Sequence, residues 1–197
     1  MTKILIPIET SIGERRVSAT PETVKKLKSL GCDVYIEKSA GELSGFKDFS
    51  YEESGGIIFT KQDFNHWKEA DIIFCIHCPD YEKLNKLKEG CLIIGLLNPF
   101  ANKDLAKILS DLKLSAIALE LLPRISRAQS SDVLSSQANI AGYKSVLLAA
   151  SELDRYFPML MTAAGTVQPA KVVVLGGGVA GLQAVATAKR LGALVFV

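Results

Sequence analysis

Lys171-Val172-Val173-Val174-Leu175-Gly176-Gly177-Gly178-Val179-Ala180-Gly181 is the stretch that decides the fold. Residues 171–175 read as a buried strand, residues 179–191 as a helix, and a second strand starts at Ala193. Gly176, Gly178 and Gly181 occupy the fixed positions of a G-x-G-x-x-G turn between strand and helix, the context in which that pattern marks a dinucleotide site. Gly176 permits the tight turn, Gly178 lets the backbone approach a pyrophosphate, and Gly181 allows helix and strand to pack closely. The N–H groups of Gly178, Val179 and Ala180 would face the phosphates from the helix N-terminus. The acidic residue expected about 20 residues further on falls at or just past Val197, so the pattern predicts a chain that stops inside this domain.

Upstream, residues 1–120 alternate short apolar runs with amphipathic stretches. Strands are expected at 3–7, 33–37, 57–59, 71–76, 91–96 and 114–118. Thr20-Pro21-Glu22 opens a helix, with Thr20 as N-cap and Pro21 at the first helical position. Val24, Leu27 and Leu30 fall on its inner face and Gly31 ends it. Further helices are expected at 81–88 and 102–112. This alternation predicts a mostly parallel sheet covered on both faces. After Pro123 a polar loop begins, and Ser130 or Ser131 caps a long helix over 132–156. Its many small residues (Ser135, Ser136, Ala138, Ala141, Gly142, Ser145, Ala149, Ala150) predict a buried connecting or interface helix. Residues 159–169 read as a linker. The predicted architecture is α/β: two doubly wound parallel-sheet domains joined by a long helix, the second, Rossmann-type, incomplete. The domains are 1–125, a connecting segment 126–164, and 165–197.

The net charge of +2 provides no broad basic field, so nucleic-acid binding is not indicated. The N-terminal apolar run is too short for a signal peptide, and residues 172–188 fall short of a membrane span. Cys75-Ile76-His77-Cys78 is a C-x-x-C, but no second such pair completes a zinc set, so no metal site is assigned and Cys75 reads as a small core hydrophobe. His66-Trp67 reads as packing. Composition alone leaves two readings of the 124–135 loop open: a ribose- and nicotinamide-binding loop, or a solvated one whose arginines pair with local carboxylates.

Residues 123–143, Pro-Arg-Ile-Ser-Arg-Ala-Gln-Ser-Ser-Asp-Val-Leu-Ser-Ser-Gln-Ala-Asn-Ile-Ala-Gly-Tyr, resemble the signature of the alpha subunit of proton-translocating NAD(P) transhydrogenases. Met161–Ala170 and Gly176–Ala184 are similar to it as well. Pro7-Ile8-Glu9 and residues 13–21 resemble the broader alanine dehydrogenase/transhydrogenase family. The resemblance implies that Arg124, Ile125, Ser126, Gln129, Asp132 and Ser135 contact the nicotinamide half of NAD(H). Gln129 would lie nearest the incoming NADP(H) of a partner component, and Asp132 would orient Arg124 or the carboxamide. Arg124, Gln129 and Asp132 would then line a centre for direct hydride transfer, without acid or base. The implied partners are a second copy in a homodimer, an NADP-binding component and a membrane proton channel. The chain would sit on the cytoplasmic side of the inner membrane, peripheral through those partners.

Two other readings stand beside this one. In an alanine dehydrogenase relative Arg16 would bind a substrate carboxylate, but Cys75 or His77 stands where the family's lysine is expected and Asn98 where its histidine is expected. Arg16 is therefore read as a structural charge. The third reading is a truncated or split-subunit fragment without activity of its own.

Overall fold

Successive residues of a strand point to opposite faces of its sheet, and burial along the first 123 residues follows that rule. Leu5, Ile73 and Ile93 enter one apolar cluster with Trp67, whereas Ile6, Val34 and Ile36 enter another with Val24 and Tyr51. The sheet is thus buried on both sides, as parallel strands require. The computed structural model describes residues 1–60 and 62–197.

The first unit, Met1–Pro123, runs β1 (Lys3–Ile6), α1 (Pro21–Ser29), β2 (Asp33–Glu37), α2 (Asp48–Glu53), β3 (Ile57–Phe59), α3 (Asn65–Glu69), β4 (Ile72–His77), α4 (Tyr81–Leu84), β5 (Leu92–Leu96), α5 (Leu105–Asp111) and β6 (Ser115–Ala118). All six strands are parallel, in the order β3-β2-β1-β4-β5-β6. This is the doubly wound order, which reverses direction between β1 and β4. Close approach of β4 and β5 needs Gly95, where a Cβ would stand 2.5 Å from the Cys75 carbonyl oxygen.

Thr20 caps α1, accepting from Thr23 N at 3.3 Å, and Pro21 occupies the first turn. Leu30, expected on the buried face, is exposed: the helix ends at Ser29, and Leu30 turns into Gly31 at φ +83°. The helix expected over 81–88 stops at Leu84, because Lys86 N and Leu87 N return to the carbonyls three residues back. That expected over 102–112 is trimmed to Leu105–Asp111.

The second unit, Arg124–Val197, contains α6 (Val133–Glu152), β7 (Leu160–Thr162), β8 (Gly165–Val167), β9 (Lys171–Val173), α7 (Val179–Arg190) and β10 (Leu194–Phe196). β9 and β10 pair in parallel. The segment expected as a plain linker carries an antiparallel hairpin, β7–β8, turned through Ala163 and Ala164, with Gly165 at φ +133° opening β8. The expected buried strand before the glycines is open on one side: Val173 is exposed and Leu175 is 95% exposed, because α7 covers the other face. The long helix, expected to be a buried connecting or interface helix, is buried within this chain only at Gly142 and Val146, and Ile140, Tyr143 and Leu148 are exposed.

Ile93 is fully buried in the centre of the first unit. Ile93→Ala should lower its unfolding free energy by roughly 2–5 kcal/mol, measured as a urea-midpoint shift at unchanged slope.

Candidate functional site

At the glycine turn the three glycines do three different things. Gly176 has φ +108°, a conformation that L side chains rarely adopt. Gly181 is packed: a Cβ there would lie 1.9 Å from the Gly176 carbonyl oxygen. Gly178 borders open space, with no atom of the described residues within 4 Å of a Cβ, and its φ of −75° suits any residue. Nothing in the fold itself therefore requires glycine there. Gly178 is the N-cap of α7, no side chain caps that helix, and no acidic residue occupies its first turn. The first N–H groups of an α-helix have no intrahelical partner and carry the positive end of its dipole. The turn thus combines free donors, positive potential and room for an anion, so its residues fit a pyrophosphate.

Asp132, and not Ser130 or Ser131, caps α6. Its carboxylate accepts from Ser135 N at 2.9 Å and from Ser135 Oγ at 2.6 Å. These bonds, aided by the positive charge of Arg124, hold its carboxyl below the usual range. Arg124 acts on it as a charge at longer range, not as a contact ion pair. Residues Ser126–Ser131 form a 3-10 turn, closed by Ala128 N on Ile125 O at 2.9 Å and Asp132 N on Gln129 O at 3.3 Å. Arg124, Ile125, Ser126 and Gln129 are exposed, and the Arg124, Ser126 and Gln129 side chains make no hydrogen bond among the described residues.

α6 and α7 run side by side in the same direction. Midway along α6 and in the first turn of α7, Gly142 meets Ala180, where a Cβ on Gly142 would lie 2.1 Å from the Ala180 carbonyl oxygen. Further along, Val146 packs with Ala184 and Ala188. Near their ends Ala150 borders a surface cavity together with Arg190 and Leu191. Both N-termini thus lie at one end of the unit. The start of α6, nine residues before Gly142, reaches about 14 Å along the helix axis beyond that contact. This brings the 124–132 loop to the end of the unit that carries the glycine turn. Asn139, Gln183 and Thr187, which spacing did not single out, form a polar ladder here. Asn139 Nδ2 donates to Gln183 Oε1 at 3.1 Å, Gln183 Nε2 to Thr187 Oγ1 at 3.2 Å, and Thr187 Oγ1 to Gln183 O at 2.8 Å. The four-residue spacing of Gln183 and Thr187 was a readable signal; their partner on another helix was not.

The switch point of the first unit, beyond the ends of β1 and β4, is filled by the chain's own polar groups. The Glu9 carboxylate accepts from Ile76 N at 2.6 Å and His77 N at 3.1 Å, beside an irregularity in the β4–β5 register. Glu37, 2% exposed, accepts from Ile8 N at 3.0 Å and lies 3.8 Å from Lys83 Nζ. Glu14 takes Arg16 NH2 at 2.6 Å and bonds His77 Nε2 at 2.8 Å. Arg16 thus has a local carboxylate partner. The Arg16 hydrogen bonds are the largest cause that pulls the Glu14 carboxyl down to about 2. The cleft among Glu9, His77, Cys78, Asp80 and Lys83 encloses only about 40 Å³. Asn98 follows β5 in a left-handed conformation, φ 47°, exposed to solvent. Burial pushes the thiols of Cys75, Cys78 and Cys91 up, the last two to about 11, so they stay protonated at neutral pH. No group of three or more His, Cys, Asp or Glu among the described residues is placed to hold a metal ion.

Known proteins match this arrangement along nearly its whole length. The family described as alanine dehydrogenase/PNT, N-terminal domain, matches residues 5–141, and the corresponding C-terminal domain matches residues 145–197. The chain is 46% identical over 199 residues to the first part of NAD(P) transhydrogenase subunit alpha of Rhodospirillum rubrum, covering 98% of the chain and 52% of that protein. It therefore spans about half the length of that relative. The crystal structure of transhydrogenase from Sinorhizobium meliloti superposes with a TM-score of 0.93 at 47% identity, covering 98% of this chain and 57% of that one. An L-alanine dehydrogenase structure gives 0.83 at 29% identity, covering 98% and 53%.

Two outcomes follow from the geometry. Glu14 has a depressed folded-state value, so its contribution to stability is complete above its ordinary value of 4.5 and is lost as pH falls toward about 2. Glu14→Gln should flatten the acid limb of a stability–pH profile across that window. Gly181→Ala should destabilise the second unit by about 1–3 kcal/mol despite the better helix propensity of alanine, read from thermal unfolding.

Proposed function

Because this chain belongs to the alanine dehydrogenase/PNT family, we propose that it is the NAD(H)-binding component of a proton-translocating NAD(P) transhydrogenase. One observation carries the reading: the side-chain-free opening at Gly178, over the uncapped start of α7, at the end of the unit that also carries the 124–132 loop. In it Val179 and Ala180 N–H groups receive the pyrophosphate, Gly178 lets the backbone approach it, and Gly176 and Gly181 hold the turn. Arg124, Ile125, Ser126, Gln129, Asp132 and Ser135 orient the nicotinamide half and exclude water from it. When bound, NADH supplies a hydride from its nicotinamide ring to NADP on a partner component. Gln129 lies at that junction, and no residue of this chain takes or gives a proton in the transfer. The assembly comprises a homodimer, an NADP-binding component and a membrane proton channel. The chain is peripheral to the cytoplasmic face of the inner membrane through these partners. No helix among its described residues is long and apolar enough to cross a membrane.

An alanine dehydrogenase-like oxidoreductase is the weaker reading. Arg16 is engaged by Glu14, and the strand ends that should carry a lysine and a histidine carry Cys75, His77 and Asn98. A fragment without activity of its own is favoured by the uncovered apolar face of β9 and β10, where Val173, Leu194 and Phe196 are exposed. NADH binding by the chain alone should accordingly be weak.

Calorimetric titration of NADH and of NADPH into the chain tests the reading. NADH binding without NADPH binding is expected; binding of neither, by a folded chain, overturns it. Gly178→Ala should cost no more than about 1 kcal/mol of stability yet weaken NADH binding at least about tenfold, since its methyl group occupies the opening. In the assembled complex Gln129→Asn should slow hydride transfer by up to about 100-fold while changing NADH affinity much less. Equal losses would remove Gln129 from the reacting centre.

A further inference from the structure

We propose that Asn139, Gln183 and Gly142 are positioning residues: they set the axial register of α6 on α7 and so hold the 124–132 loop in place relative to the glycine turn. The inference rests on the reading of this end of the unit as the NAD(H) site.

The contact between the two helices is made by small apolar groups, Val146, Ala150, Ala184 and Ala188. Apolar contact is non-directional, so such a seam resists separation far better than it resists sliding. A hydrogen bond has a narrow distance and angle range. The Asn139–Gln183 bond, 3.1 Å, joins the helices diagonally across the Gly142–Ala180 contact, from one turn before Gly142 to one turn after Ala180. Gln183 is itself held: its Nε2 donates to Thr187 Oγ1, and that hydroxyl, on a buried residue, donates its hydrogen to the Gln183 carbonyl. Each amide and hydroxyl in the ladder has one consistent donor and acceptor role, so the Gln183 oxygen faces α6 in a single orientation. Gly142 then sets the depth, since its missing side chain lets α6 reach the carbonyl of Ala180, a residue of the glycine turn itself. A slip of one residue along the axis, about 1.5 Å, breaks the amide bond and carries the cap Asp132 and the loop before it by the same amount. Displacements of about 1 Å in a reacting centre cost about 100-fold in rate.

Amide hydrogen exchange on the full chain without nucleotide tests this. The loop and first turn of α6 contain bonded amides at Ala128, Asp132, Ser135 and Ser136. Asn139→Leu and Gln183→Leu should each raise exchange across residues 126–136 at least about fivefold, the equivalent of one ordinary hydrogen bond, with β9 and the strands of the first unit unchanged. Val146→Ala weakens the same seam without touching the ladder, and should raise exchange across the whole second unit, β9 included. Unchanged loop exchange in the leucine variants, or a uniform rise like that of Val146→Ala, overturns the inference. NADH titration of the same samples separates the two claims. Selective loop exchange in a chain that binds no NADH upholds the register role and removes the functional reading.

Discussion

The second unit depends on how closely three stretches of backbone approach one another. The turn at Gly176 packs on the first turn of α7 because Gly181 has no side chain, and α7 packs on α6 because Gly142 has none. Atoms cannot interpenetrate, so a single Cβ at either position forces the layers apart. The packing is correspondingly thin in apolar volume: the buried groups between the helices are mostly alanines. Proximity, not side-chain bulk, supplies the dispersion contacts that hold the layers. A directional amide bond then supplies the axial information that such a smooth seam lacks.

The first unit solves a different problem at the same kind of place. A parallel sheet with the order β3-β2-β1-β4-β5-β6 opens a crevice beyond β1 and β4, the usual ligand position in such folds. Here Glu9 takes two N–H groups at the end of β4, Glu37 takes one after β1, and Glu14 joins Arg16 to His77. Buried carboxylates are tolerated because donors and cations surround them. The donors at this edge are satisfied inside the fold, whereas those at the start of α7 are not. That contrast, between a satisfied sheet edge and an open helix start, makes the glycine turn the better candidate for a ligand.

The face of β9 and β10 opposite α7 is uncovered. Parallel strands bury both faces, yet Val173, Leu194 and Phe196 are exposed there. The dinucleotide fold is represented by one β-α-β unit, so the turn geometry is present while much of the surface around it is open.

Periodicity and end signals made most elements legible. Short apolar runs marked all six strands of the first sheet to within a residue at each end, because a parallel strand covered on both faces is apolar on both. Thr20-Pro21 marked α1 because capping is settled within four residues. The glycine turn was legible for the same local reason. What the sequence by itself determined, then, was whatever a few neighbouring residues settle among themselves: strands, helix starts, the turn and its free donors. Only the tertiary structure decided that Leu30 faces solvent, that α6 is buried at just two positions, and that Asn139 meets Gln183 across two helices. It also decided that Glu9 is held by the end of β4. Each of these depends on a partner distant in the chain or on where a helix happens to stop, and burial and hydrogen-bond satisfaction are properties of the packed molecule that no single segment carries.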